Sequence, residues 1–256
     1  MQAVDAEQQP LWTPSPERRA QSNLARFRQR LAARQGLAFD DYASLHRWSI
    51  ERPEAFWFEM AHFADARADW GDGPVLRHGE RMPGAEWFPA ARLNYADNLL
   101  HFHDDGPAII AWDERAHAEP ARRRTLTRRR LEAEVGRVAA GLRAAGVVPG
   151  DRVAGFLPNI PEAVVAMLAA ASIGATWSSC SPDFGIAGVL DRFGQIAPKA
   201  LVTADGYFYA GKSIDSLAPV AGVLAALPSV TAVVVVPFQA GEAAGAEASR
   251  RLAALL

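Results

Sequence analysis

Residues 150–185 read GDRVAGFLPNIPEAVVAMLAAASIGATWSSCSPDFG, and the order of their apolar runs decides the fold. Two short runs, Arg152–Leu157 and Ala175–Ser179, flank a longer apolar segment, Pro161–Ile173. The short runs have strand length. The middle run, opened by a proline and closed at a glycine, has helix length. Strand, helix, strand predicts a crossover unit, which joins parallel strands.

Working outward, the pattern repeats. Downstream, Ala200–Thr203 and Val230–Val236 read as strands, with helices over Ile186–Ile196 and Ile214–Leu227. Upstream, Ala108–Trp112 and Arg122–Leu126 predict a hairpin across a polar loop. Thr127 then caps an amphipathic helix running to about Ala145 and closed by Gly146. Strand and helix alternate at roughly 25 residues per unit, as in an α/β fold built on a parallel sheet with crossover helices. No repeat of sequence accompanies this repeat of architecture.

The first third is less regular. Apolar residues at helical spacing (Leu24, Phe27, Leu31) predict one helix over Pro16–Arg34, stopped by Gly36. An aromatic-dense stretch follows, from Tyr42 to Trp70, with a helix starting near Arg52 at the Pro53-Glu54 pair. Gly71–Gly84 reads as loop. At the other end, Gln239–Ser249 reads as a surface insertion, and Arg250–Leu256 as the start of a helix without a cap. Such a chain is expected to be the N-terminal portion of something longer.

The 256 residues are 50% hydrophobic and 22% charged, which suits a soluble globular protein with a sizeable core. The net charge of −2 opposes nucleic acid or an anionic membrane as main partner. A single cysteine, Cys180, excludes an internal disulfide and fits a reducing cytoplasm. The start MQAVDAEQQPLWTP has no signal-peptide character, and the longest apolar run, Ala163–Ala171, is far short of a membrane span. The expected location is the cytoplasm. Almost all cations are arginine; Lys199 and Lys212 are the only lysines.

Several motifs carry letters of known chemistry. Gly206–Ser213 reads GYFYAGKS and satisfies the phosphate-loop pattern G-x-x-x-x-G-K-[ST]. Three consecutive aromatics, Tyr207, Phe208 and Tyr209, oppose the tight backbone wrap of such a loop. The strand that should end in a magnesium-binding aspartate ends instead in Pro237. The alternative is a connection between a strand and a helix, its aromatics on the core surface. A dinucleotide-binding G-x-G-x-x-G is absent. His101-Phe102-His103-Asp104-Asp105 offers metal-binding letters without a full ligand set, and reads better as a solvated turn. Cys180 lacks a neighbouring histidine and reads as a small buried residue rather than a nucleophile. The clusters Arg122–Arg124 and Arg128–Arg130 lack interleaved aromatics and read as a solvated helix face, not an RNA site.

The ordered run of these segments resembles the adenylate-forming (acyl-CoA synthetase) superfamily, and within it the acetoacetate–CoA ligases, over nearly the whole chain. The residues that carry it are Leu11–Phe27 (LWTPSPERRAQSNLARF), Asp41–Trp57, Trp87–Leu100 (WFPAARLNYADNLL), Thr125–Val135, Gly150–Gly185 and Thr203–Asp215 (TADGYFYAGKSID). The resemblance implies an N-terminal extension over 1–100, with an acetyl-CoA-synthetase-like segment at about 41–100, then the first part of an AMP-binding domain over 101–256. It implies an acid–thiol ligase: ATP and a short carboxylic acid such as acetoacetate form an acyl-adenylate with Mg2+, and coenzyme A displaces AMP. Only small-molecule partners are implied.

The family's Ser/Thr-Gly-rich ATP loop ending Pro-Lys, its adenine and ribose region and its C-terminal catalytic lysine have no counterpart in this sequence. No catalytic residue is therefore carried over, and the chain alone is expected to be inactive. One contact is carried over. A basic-Gly-Gly-basic tetrad that touches coenzyme A in the related acetyl-CoA synthetases aligns with Tyr209, Ala210, Gly211 and Lys212. Gly211 and Lys212 keep the pattern; Tyr209 and Ala210 depart from it, and a tyrosine can stack on adenine but not pair with phosphate as arginine does. Two other classes fit the residues: a noncatalytic fragment or interaction module, and a phosphate-loop NTPase.

Overall fold

The structure, a computed structural model, describes residues 12–117, 119, 123–241 and 245–254. It divides into two compact units, 1–92 and 93–256.

In the first unit the expected single helix over Pro16–Arg34 is broken in two. Ser22 ends the first piece and starts the second, because its hydroxyl accepts from the Ala25 amide at 3.2 Å and so caps a new helix. The pieces are α1 (Pro16–Ala20) and α2 (Asn23–Gln35), the latter stopped at Gly36 with φ +64°, as expected. A helix not foreseen, α3 (Tyr42–Glu51), begins at an Asp41–Ser44 capping box and is followed directly by α4 (Pro53–Phe63). Phe27, Leu31 and Leu45 form the buried centre, ringed by Trp48, Phe56, Met60 and Phe63. Phe27 meets Phe56 and Phe63 edge-on at 5.9 and 5.2 Å. Glu59 is buried beside this cluster, accepting from Gln35 at 2.8 Å and pairing with Arg30 at 3.2 Å. The segment Gly71–Gly84 is not all loop: β1 (Leu76–Arg77) pairs antiparallel with β2 (Glu86–Trp87).

The second unit opens with α5 (Tyr95–Leu100). Asn94 caps it, and the same side chain donates to the carbonyls of Ala171 and Ser172 at 3.1 and 3.3 Å. The expected hairpin is present as β3 (Pro107–Ala111) and β4 (Arg124–Thr127), leading into α6 (Arg128–Ala144) through the Thr127 cap. Then come β5 (Arg152–Phe156), α7 (Pro161–Ser172), β6 (Thr176–Cys180), α8 (Ile186–Ile196) and β7 (Ala200–Ala204). After a second hairpin, β8 (Gly206–Tyr209) and β9 (Lys212–Asp215), the chain forms α9 (Leu217–Ala226), β10 (Ala232–Val236) and α10 (Gly245–Ala253).

Strands β10, β7, β5 and β6 lie side by side in that order, all parallel. One face, through Val153, Ala200 and Val202, packs on α6 and α7. The other, through Ala154, Phe156 and Leu201, packs on α8 and α9. Burial on both faces explains why β7 is apolar along nearly all its length. Gly155 lies against the Trp177 ring of the neighbouring strand, where a Cβ would collide with it. Arg152 closes the free carbonyl end of α8, donating to Ile196 at 2.7 Å and Ala197 at 3.0 Å.

Two readings are corrected at the C-terminal side. Ile214 belongs to β9, so α9 starts at Leu217 rather than Ile214. Gln239–Ser249 is not a surface insertion throughout its described residues: Gln239 is half-buried, α10 begins at Gly245 and Ala248 is buried, while residues 242–244 lie outside the described residues. Among the described residues no helix is long and apolar enough to cross a membrane.

Candidate functional site

Chain order and sheet order part company at β5. From it the chain steps to β6 on one side, then crosses to β7 on the other. Helices α7 and α8 consequently leave on opposite faces, and the loops beyond the carboxyl ends of β5 and β7 diverge to leave a crevice. A cavity of about 200 Å³ lies there. It is lined by the turn after β5 (Pro158, Asn159, Pro161), by Tyr207 and Phe208 of β8, and by Trp112 and Glu114 after β3.

Hairpin β8–β9 forms one wall and contains the GYFYAGKS stretch. Expectation and structure differ here. The stretch is neither a phosphate loop nor an open strand-to-helix connection. Tyr209 pairs with Lys212, Phe208 with Ser213 and Tyr207 with Ile214 in an antiparallel ladder. Ala210 and Gly211 make a two-residue turn, with φ +50° and +73°. Positive φ at both central positions gives the twist that closes a tight hairpin, and glycine accepts it readily. A phosphate loop needs a helix after its lysine so that amides fan around the anion. Here the chain continues as a strand, which removes that geometry.

The hairpin is held at its base. Asp205, 1% exposed, accepts from the amides of Gln239 at 2.8 Å and Ala240 at 3.0 Å. The Gln239 carboxamide donates to the carbonyls of Tyr207 and Ile214, both at 2.9 Å, and so bridges the two strands. Gly206 lies against that carboxamide, and a Cβ there would occupy the same space. Along one side the Arg115 guanidinium lies 3.5 Å from the centre of the Phe208 ring, and is itself paired with Asp113 at 2.6 Å. Burial pushes the Tyr207 phenol above its ordinary pKa of 10.0, with Asp183 and then Tyr209 adding to the rise.

At the tip, Tyr209 is 66% exposed, and the Lys212 side chain reaches solvent without an ion-pair partner among the described residues. Lys199, the other lysine, is committed: it donates to the Gly146 carbonyl at 2.5 Å and pairs with Asp151 at 3.0 Å. The structure thus brings Tyr209, Ala210, Gly211 and Lys212 together on one turn. Sequence reasoning missed Glu114. Its carboxylate accepts from the Ala210 amide at 2.9 Å and the Gly211 amide at 3.3 Å, across 96 and 97 residues. No local signal in the sequence announces so distant a contact. The hairpin itself had one: β-prone aromatics and a Ser-Ile pair around an Ala-Gly turn.

The remaining motifs resolve into structure. His103 contacts Glu132 at 2.8 Å, Asp104 pairs with Arg128 at 2.7 Å, and Asp105 pairs with Arg129 at 3.1 Å. Asp104 and Asp105 are therefore paired with two arginines of the second cluster, while Arg130 pairs with Glu134 at 3.5 Å. In the first cluster, Arg124 pairs with Glu162 and Arg123 lies over Trp112; Arg122 lies outside the described residues. No group of three metal-ligating side chains occurs among the described residues. Cys180 is buried, and desolvation raises its thiol from 9.0 to about 11, so it is a poor nucleophile.

The chain matches two families in succession: acetyl-coenzyme A synthetase N-terminus over residues 42–99 and AMP-binding enzyme over residues 102–254. It is 43% identical over 237 residues to an acetoacetyl-coenzyme A synthetase of Rhizobium meliloti, covering 93% of this chain and 35% of the relative. It is 40% identical over 231 residues to an acetoacetyl-CoA synthetase of Macaca fascicularis, covering 90% of this chain and 34% of the relative. Among solved structures, acetoacetyl-CoA synthetase from Streptomyces lividans superposes with a TM-score of 0.84 at 44% identity, covering 91% of this chain and 36% of that one. The chain spans about a third of the length of these relatives.

Proposed function

The chain belongs to the AMP-binding enzyme family, and on that premise we propose that it is part of an acid–thiol ligase that joins acetoacetate, or a close short-chain acid, to coenzyme A. The observation that supports this most strongly is the 43% identity to an acetoacetyl-coenzyme A synthetase across nearly the whole chain. In the proposed reaction a carboxylate oxygen attacks the α-phosphorus of ATP and pyrophosphate leaves. The coenzyme A thiol, losing its proton, then attacks the acyl carbonyl and AMP leaves. Residues 1–100 would be the N-terminal extension and 101–256 the first part of the adenylating domain. Mg2+ would screen the ATP phosphates, and the cytoplasm is the proposed setting.

What this chain contributes is the coenzyme A side. The turn at Tyr209–Lys212 suits that role: an exposed phenol ring to stack on a base, backbone donors, and a lysine without an ion-pair partner among the described residues. ATP and the metal would be held by the family's Ser/Thr-Gly-rich loop and catalytic-lysine region, for which these residues offer no matching motif. Amine modification of the purified chain tests the contact. Coenzyme A at about tenfold its Kd should cover roughly nine-tenths of the sites and slow Lys212 labelling about tenfold, leaving Lys199 unchanged. Equal labelling with and without coenzyme A would defeat the contact. Pyrophosphate exchange dependent on acetoacetate, by this chain alone, would defeat the division of labour.

A further inference from the structure

We infer that Glu114 is a tethered anion occupying the anion site of the β8–β9 turn, and that a ligand phosphate must displace it; this inference rests on the coenzyme A reading above. The two oxygens of one carboxylate meet two consecutive amides, Oε1 with Ala210 at 2.9 Å and Oε2 with Gly211 at 3.3 Å. Because both residues have positive φ, their N–H groups converge on one side of the turn. Two oxygens of a phosphate would use the same pair of donors. The turn is therefore an anion site, filled by the protein's own acid.

The tether is short and fixed. Asp113 accepts from the Arg115 amide at 2.8 Å and from its guanidinium at 2.6 Å, and that guanidinium lies on Phe208 of the hairpin itself. The backbone on either side of Glu114 is thus anchored to the element its side chain touches, which keeps the carboxylate at high local concentration over the turn. The Glu114 side chain is exposed, so it can leave by rotation alone. Among the described residues it makes no ion pair with Lys212, and Lys212 has no other ion-pair partner there. An anion that meets only the amides competes against a tethered equal. A phosphate that also engages Lys212 gains a contact Glu114 does not make, and wins. Glu114 is in this reading a specificity-determining residue: it lowers affinity for every anion at the turn and favours phosphate esters that reach the lysine.

The experiment is an amide NMR titration of the whole 15N-labelled chain with coenzyme A and, separately, with inorganic phosphate. Wild type, Glu114→Gln, Glu114→Ala and Lys212→Ala are compared. Glutamine keeps the shape and one acceptor but removes the charge, and the site is exposed, so the fold is preserved. Coenzyme A should shift the Ala210 and Gly211 amides in wild type. Its affinity should rise about threefold to tenfold in Glu114→Gln, the size expected for losing one charge-assisted competitor, and fall in Lys212→Ala. If coenzyme A shifts these amides but binds both Glu114 variants no more tightly than wild type, displacement is wrong while the contact stands. If it leaves residues 209–212 unshifted in wild type and Glu114→Gln alike, both readings fail.

Discussion

Replacing Asp205 by alanine should destabilise the second unit by about 3 kcal/mol. The reasoning is local. Its carboxylate is 1% exposed and accepts two backbone amides, those of Gln239 and Ala240. Hydrogen bonds to a charged partner contribute about 1.5–3 kcal/mol each, and removing the acceptor strands both donors. Gln239 is half-buried and Ala240 exposed, so water recovers part of the loss and the lower end applies. Asparagine keeps one neutral acceptor and should cost roughly half as much. Urea unfolding, read by hydrogen exchange on peptides covering 200–236, isolates this unit. With a slope of about 2–3 kcal/mol per molar, the alanine variant should unfold about 1–1.5 M earlier. A midpoint within about 0.3 M of wild type would show that the strand-end clamp contributes little. An asparagine variant as weak as alanine would show that charge, not hydrogen bonding, holds the site.

Two further outcomes follow from buried ionisable groups. Burial alone would raise the Glu59 carboxyl, but hydrogen bonds from Gln35 and Arg30 and the charges of Arg34 and Arg30 outweigh it, leaving its pKa below the ordinary 4.5. The stability this group contributes is therefore complete above about pH 4.5 and is lost as pH falls through the lowered value. The unfolding midpoints of wild type and Glu59→Gln should converge in that acid range, and a constant gap down to pH 3 would contradict the pairing. Cys180, with its thiol at about 11 rather than 9.0, should react with iodoacetamide at pH 8 about a hundredfold more slowly than an unshifted thiol. Labelling at the rate of the unfolded chain would remove the basis for treating it as inert.

The parallel sheet was legible because its signal is local and repeated. Runs such as Ala200–Thr203 and Val230–Val236, separated by helix-length segments, allow few other arrangements. The Thr127 cap and Gly36 stop were legible for a similar reason, since each is decided within one turn of chain. What escaped was decided elsewhere. Ser22 splits a helix through a single hydroxyl, and α3 announces itself only through the Asp41–Ser44 box. The hairpin at Gly206–Asp215 was hidden by a motif that matched by letters while its aromatics argued for strand. Glu114 was beyond reach, because nothing near residue 114 reports what lies beside residue 210. The candidate turn could be named from sequence; the acid seated on it could not.

The Gln239 carboxamide has a mechanical consequence. A two-stranded hairpin standing alone is marginal in water, yet this one projects four residues beyond its base, a reach of roughly 13 Å at strand rise. A clamp at the root of such an arm sets its aim. A tilt of about 10° there would carry the tip sideways by about 2 Å over that reach, more than a hydrogen bond tolerates. The precision with which Lys212 is presented is accordingly set in part at residues 205 and 239, together with Arg115 on Phe208 and Glu114 on the turn. Substitutions at that root should act as changes of pointing rather than of chemistry.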